Sequence, residues 1–172
     1  SFFDCLVGYF YSSGFYAVYP ALENTDKIRI LIGIGTNRQT FDMLEQANSQ
    51  SQTVIDFSHA ETKQEIENLI ENEMADSEDN RNVEKGVHVF IDWIKKGKLE
   101  IRAYPSQQIH AKLYIMTFKE GDRDIGRVIT GSSNFTQSGL VDNLEFNVEL
   151  QRPEDYHFAL RKFNELWASA VD

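Results

Sequence analysis

Five residues in the C-terminal half have the types and spacing for phosphoryl chemistry. His110 and Lys112 stand two apart in the apolar run IHAKLYIMTF (109–118), and Gly131-Ser132-Ser133-Asn134 follows at the end of a second apolar run. Glu145 comes eleven residues after Asn134. Together these are the groups that a phosphodiester site without a metal needs. An imidazole serves as nucleophile, while a lysine with amide and hydroxyl donors neutralises the phosphoryl oxygens. A carboxylate can hold the imidazole in its reactive tautomer. Each piece alone has a plainer reading. An amphipathic edge strand also puts a histidine and a lysine on one solvated face, and GSSN alone is an ordinary turn.

The elements that position these residues can be read from period and punctuation. Strand side chains alternate faces, so His110, Lys112 and Tyr114 should share one face, with Ala111, Leu113 and Ile115 on the other. NLEFNVEL (143–150) alternates in the same way, with Asn143, Glu145, Asn147 and Glu149 opposite Leu144, Phe146, Val148 and Leu150. RVITGSS (127–133) is expected to return as a strand after the charged loop KEGDRDIG. KLEIRAYP (98–105) forms another strand, ended by Pro105.

Upstream, a strand over about Asp4–Tyr11 should lead into a helix opening near Ser12 or Ser13. KIRILIGIG (27–35) reads as a buried strand closed by glycines. Gly33-Ile34-Gly35-Thr36 lacks the Gly-Lys-Ser/Thr ending of a phosphate loop and the third glycine of a dinucleotide fingerprint, so it is a strand-to-helix turn. The helix after it carries Phe41, Leu44 and Ala47 inward. Ser58 and Glu61 have capping-box spacing ahead of a stripe of Ile66, Leu69, Ile70 and Met74. A further helix buries Val83, Val87, Phe90, Ile91 and Ile94, and Gly97 stands where a left-handed cap belongs. Pro153 opens a last helix with Tyr156, Leu160, Phe163 and Trp167 inward. Strands interleaved with helices predict an α/β fold with a mixed central sheet flanked by helices on both faces.

Composition bounds the rest. The 172 residues suit a single domain, and 41% hydrophobic with 12% aromatic residues is the make-up of a folded globular chain. No window reaches the ~18 apolar residues of a membrane span. The aromatic opening is interrupted by Asp4 and by Ser12-Ser13-Gly14, unlike a signal peptide. One cysteine, Cys5, permits no internal disulfide and suits a reducing cytoplasm. The net charge of −10 resides entirely in residues 42–84, which hold twelve acids and two bases. A solvated helix face is its simplest reading. Such a block repels nucleic acid, so a phosphate-bearing ligand should meet the other side of the molecule, where Lys95–Arg127 holds eight bases and four acids.

His110-x-Lys112 followed by Gly131-Ser132-x-Asn134 resembles the signature of the phospholipase D superfamily. Glu145 falls where bacterial nuclease and restriction-enzyme members carry a histidine-orienting glutamate. The opening GYFYSSGFYAVYPAL…IRILIGIG is similar, more loosely, to such domains at the front of bacterial helicases and restriction proteins. Two departures stand out. The family's aspartate, five residues after the lysine, is Thr117 here, on the face away from His110, and the loop before GSSN is longer than the family pattern's.

The resemblance implies a phospholipase D-like fold and a two-step reaction through a phosphohistidine, without cofactor or metal. His110, Lys112, Asn134 and Glu145 would be catalytic, and Lys112, Ser132 and Asn134 would bind phosphate. The mechanism needs a second histidine as acid. His59, His88 and His157 each lack a lysine at plus two, so a homodimer is expected to supply it. The chain, lacking an initiator Met and opening as if inside a strand, would be a domain excised from a longer protein. Its partner would be nucleic acid, with DNA favoured over RNA although no base-reading element is recognisable, and no membrane. Two further functions compete: a nucleic-acid-binding module that cuts weakly or not at all, and lipid phosphodiester transfer.

Overall fold

The computed structural model describes residues 1–33, 80–104 and 109–170. The turn at Ile34–Thr36, the helix of Phe41, Leu44 and Ala47, the Ser58–Glu61 capping box with its stripe, Pro105 and nearly all of the acidic block lie outside those residues. So do the side chains of Val83 and Val87.

Among the described residues, six strands form one sheet: β1 (Phe2–Val7), β2 (Lys27–Ile32), β3 (Leu99–Ala103), β4 (Leu113–Thr117), β5 (Gly126–Gly131) and β6 (Asn147–Leu150). Their order is β3-β2-β1-β4-β5-β6. β1, β2 and β3 run parallel, whereas β4, β5 and β6 are each antiparallel to the preceding neighbour in the sheet. β1 is therefore the seam where the sheet changes from parallel to antiparallel.

Alternation along these strands sorts the core into two layers. On one face Cys5, Val7, Ile28, Ile30, Leu99, Ile101 and Tyr114 meet Phe15 and Tyr19 of α1 (Ser12–Leu22) and Trp93 of α2 (Asn80–Lys95). On the other, Leu6, Leu31, Ile115 and Val128 meet Tyr156, Ala159, Phe163 and Trp167 of α3 (Pro153–Ala168). The mixed sheet with helices on both faces is thus as the sequence predicts. Asp4, buried under α3, is held in a two-pronged ion pair by Arg29 at 2.6 and 2.8 Å. The Arg29 guanidinium also lies over the rings of Phe163 and Trp167.

Helix ends follow the sequence signals. Gly97, at φ 67°, ends α2 in a left-handed cap: its N–H donates to Ile94 O and that of Lys98 to Trp93 O, both at 2.9 Å. Pro153 occupies the first turn of α3, with Glu154 and Asp155 beside it at the positive end of the helix dipole. In α3 the buried positions are Tyr156, Ala159, Phe163 and Trp167, with Leu160 half-buried; in α2, Val89, Trp93, Phe90 and Ile94 pack on the core and Ile91 does not.

The strands around the site are shorter or shifted relative to expectation. β1 stops at Val7, after which Tyr9–Tyr11 turn away to join the Phe135 backbone. β4 begins at Leu113, so His110–Lys112 form an extended lead-in rather than ladder. β5 ends at Gly131, and β6 consequently shrinks to Asn147–Leu150: past Gly131 Ser132 still bonds Phe146, but among the described residues 143–145 have no strand to pair with.

Candidate active site

The candidate residues gather where β1 and β2 end and β4 begins. Leu6 pairs with Leu113 and Leu113 with Thr130, so the chain past Val7, the lead-in before Leu113 and the turn after Gly131 all leave the sheet at this end. Clefts beyond the carboxyl ends of parallel strands, beside a change in strand direction, are where open α/β sheets place their ligands.

The lead-in is anchored by Thr130 Oγ1, which donates to Lys112 O at 2.9 Å. His110 is exposed whereas Lys112 is only 8% exposed. The Lys112 ammonium lies 2.9 Å from His110 Nδ1 and 3.1 Å from His110 O. Neither partner is anionic, and among the described residues no carboxylate pairs with this lysine. A largely buried cation without a counterion favours an anion nearby. An ammonium has only protons to give, so Nδ1 accepts and the ring proton sits on Nε2.

The GSSN turn is held from three sides. Tyr114, two residues beyond Lys112 on the same face, donates its hydroxyl to Ser133 O at 2.7 Å. Its pKa is raised by burial first, then by Cys5 and by the charge of Glu145. Asn147 Nδ2 donates to Ser133 Oγ at 2.8 Å. Across the cleft, the Tyr9 N–H donates to Asn134 Oδ1 at 3.2 Å and the Tyr11 N–H to Phe135 O at 3.0 Å. Gly131 does not supply a left-handed turn. It permits close approach, since a Cβ there would run into the Phe146 carbonyl.

Asn134 and Glu145 line a cleft of about 200 Å³ with Tyr9, Tyr11, Thr136, Ser138, Gly139 and Asn143. The amide nitrogen of Asn134 has no partner among the described residues and is available as a donor. Ser132 is not: its hydroxyl donates to Glu145, and its N–H donates to Phe146 O at 3.1 Å. Glu145 also receives Asn143 Nδ2 at 3.4 Å. Among the described residues no hydrogen bond joins Glu145 to His110, and His110 and Lys112 are not among the cleft walls. The structure thus brings four of the five residues into two contacting groups, His110 with Lys112 and Ser132 with Glu145, joined through β4, β5 and the turn they share, and sets Asn134 in the cleft wall with Glu145.

Thr117, in place of the aspartate, bonds Tyr156 of α3 at 2.8 Å (Thr117 Oγ1 to the phenol) and serves packing on the far face. His88 and His157 are exposed on α2 and α3, and His59 lies outside the described residues. Tyr9 and Tyr11 are among the cleft residues that sequence reading passes over, with Thr136, Ser138 and Gly139. For the two tyrosines the signal was available, since both flank the buried Phe10 just past the end of a parallel strand. Among the described residues no group of three His, Cys, Asp or Glu side chains converges as a metal site, and no helix is long and apolar enough to cross a membrane.

No curated protein matches the chain. The family described as cardiolipin synthase, PLD-like domain, does match it, over residues 18–167, a span that includes His110, Lys112, Ser132, Asn134 and Glu145. With its mixed sheet, its His-x-Lys lead-in beside a Gly-Ser-x-Asn turn and a family match over most of its length, the chain belongs to the phospholipase D superfamily of phosphodiester hydrolases and transferases.

Proposed function

We propose that this domain is a metal-independent phosphodiesterase that cuts nucleic acid, DNA foremost, within a bacterial helicase or restriction protein. The observation that carries the reading is the buried Lys112 ammonium, without a carboxylate partner among the described residues and in contact with His110 Nδ1. An arriving phosphate draws Lys112 onto its oxygens, with the Asn134 amide as a second donor. His110 Nδ1 is then released, and the ring proton can move to it, leaving Nε2 as the nucleophile.

The N–P bond forms as the bond from phosphorus to the leaving oxygen breaks, and a protonated His110 of a second copy gives that oxygen its proton. Water then attacks phosphorus, yields a proton to the same imidazole, and the N–P bond breaks. Glu145 supports this cycle from the Ser132 turn, and its contact with a histidine belongs to the assembled dimer. The test is cleavage of labelled DNA in excess EDTA, with acid-quenched peptide mapping for a phosphohistidine. Activity in EDTA with the adduct on His110 is expected. Cleavage only on adding a divalent ion, or an adduct elsewhere, overturns the proposal.

Lipid phosphodiester transfer is the second reading, favoured by the name of the matching family. Turnover of diester phospholipid in vesicles, with DNA left intact, would establish it. Tight DNA binding without turnover would instead mark a positioning module.

A further inference from the structure

Two exposed aromatic rings stand in the walls of the cleft with nothing stacked on them. Tyr9 is 38% exposed and Tyr11 40%, and both line the cleft with Asn134 and Glu145. Among the described residues neither ring stacks on another aromatic or under a cation, and neither phenol has a hydrogen-bond partner. Between them Phe10 is fully buried, its ring 5.2 Å from that of Phe135 and 6.3 Å from that of Phe90. Side chains two apart on extended backbone share a side, so the burial of Phe10 turns Tyr9 and Tyr11 outward together. Their backbone is pinned by N–H bonds to Asn134 Oδ1 and to Phe135 O. Rings displayed from fixed backbone lose little freedom when a flat group lies on them.

The lining of the cleft selects what that group is. The other walls are hydroxyl, amide and glycine positions, and Glu145 is the only charged residue among them. Among the described residues no lysine or arginine lines the cleft, so it does not hold a phosphate itself. The anion belongs at the Lys112 ammonium, with the Asn134 amide as second donor. What enters the cleft is an uncharged group joined to that phosphate, flat enough to stack and with polar edges that meet hydroxyls and amides. A nucleobase has this form, whereas an acyl chain has neither the flat face nor the polar edge. In a duplex both faces of a base are stacked on neighbours, so only an unpaired or extruded base can lie on these rings.

We propose that Tyr9 and Tyr11 form the subsite that holds an unpaired base next to the phosphodiester bound at Lys112. This rests on the reading of the substrate as nucleic acid, and it makes the two tyrosines the residues that favour single strands over duplex. Every base has a face to stack, so the subsite imposes little sequence preference.

The test is binding of a fluorescent single-stranded oligonucleotide, of its duplex, and of a strand of equal length built from abasic sugar-phosphate. It is done in EDTA and in a His110→Ala background that leaves the strands uncut. Tyr9→Leu/Tyr11→Leu and Tyr9→Phe/Tyr11→Phe are compared in that background, with thermal melts as a check on folding. Affinity for the single strand is expected to fall roughly 5- to 100-fold in the leucine variant, the effect of removing an aromatic platform for a base. It should be unchanged for the abasic strand and kept in the phenylalanine variant. A folded leucine variant that binds the single strand as before, or a background that binds duplex and abasic strand as tightly as single strand, overturns the subsite. Binding is read without cutting, so the two proposals can fail separately. Ring-dependent binding of single strands, with no turnover by the parent chain, overturns the proposed cleavage alone. Cleavage in EDTA by a parent chain whose leucine variant binds normally overturns the subsite alone.

Discussion

Residues 110–117 and 143–150 read alike in sequence, each alternating apolar and polar positions, yet the fold treats them in opposite ways. In β4 both faces are covered: Tyr114 is buried against the α1 and α2 layer and Ile115, fully buried, against α3. In 143–150 the apolar set Leu144, Phe146 and Val148 faces water. The difference comes from position in the sheet. β4 lies between β1 and β5, while β6 is an edge strand that meets the α3 layer at Leu150 and leaves Val148 exposed. Alternation states which residues share a face. Whether that face is buried depends on neighbours that only topology supplies.

The sharpest contrast between the two segments should be chemical. His110→Ala, at the head of β4, is expected to lower turnover of a chromogenic phosphodiester by about 10⁴-fold or more, as loss of a nucleophile does. Glu145→Gln keeps an oxygen that can accept the Ser132 proton and should cost roughly 10²–10⁴-fold. Equal activity of His110→Ala and parent chain would remove His110 from the site. The next contrast is in stability. Ile115→Ala should destabilise by about 2–5 kcal/mol, because it leaves a cavity in a filled layer. Phe146→Ala should stay within about 0.5 kcal/mol in urea unfolding of dilute protein. A large Phe146 effect under those conditions would show that this apolar set is covered within one chain.

The smallest effect concerns acid. Hydrogen bonds from Arg127, then from Gln151, hold the exposed Glu149 below the usual carboxylate range. A carboxyl with a lowered folded-state pKa adds stability above its ordinary value of ~4.3 and loses it as pH falls through the lower folded value. The melting-temperature gap between the parent chain and Glu149→Gln should therefore be small at neutral pH and close below about pH 4. A gap that widens on acidification would reverse the assignment.

The sheet and its helices were legible because their signals are local. The apolar run of β2, the glycine after α2 and the proline opening α3 each dictate structure from adjacent residues. So was the pairing of His110 with Lys112, which needs only the i, i+2 rule. What escaped were features set by distant partners. Nothing near Asn143 announces that β5 ends too early to pair with it, and nothing near Ser132 announces that Glu145 accepts its hydroxyl hydrogen bond. The Thr117 reading succeeded because strand alternation alone places it opposite His110, where it bonds Tyr156. Tyr9 and Tyr11 were missed for the converse reason, since their role depends on a turn far along the chain.

That long reach also orders the birth of the site. The Tyr9 N–H meets an asparagine 125 residues downstream, and β1 finds its antiparallel neighbour only at Leu113–Thr117. On a ribosome, β1, α1 and β2 are made well before β4, so one side of β1 must wait unpaired while the chain lengthens. Contacts of such sequence separation close slowly and leave open strands exposed in the meantime. The cleft that Asn134 and Glu145 line can form only after the GSSN turn has been made and has returned to Tyr9.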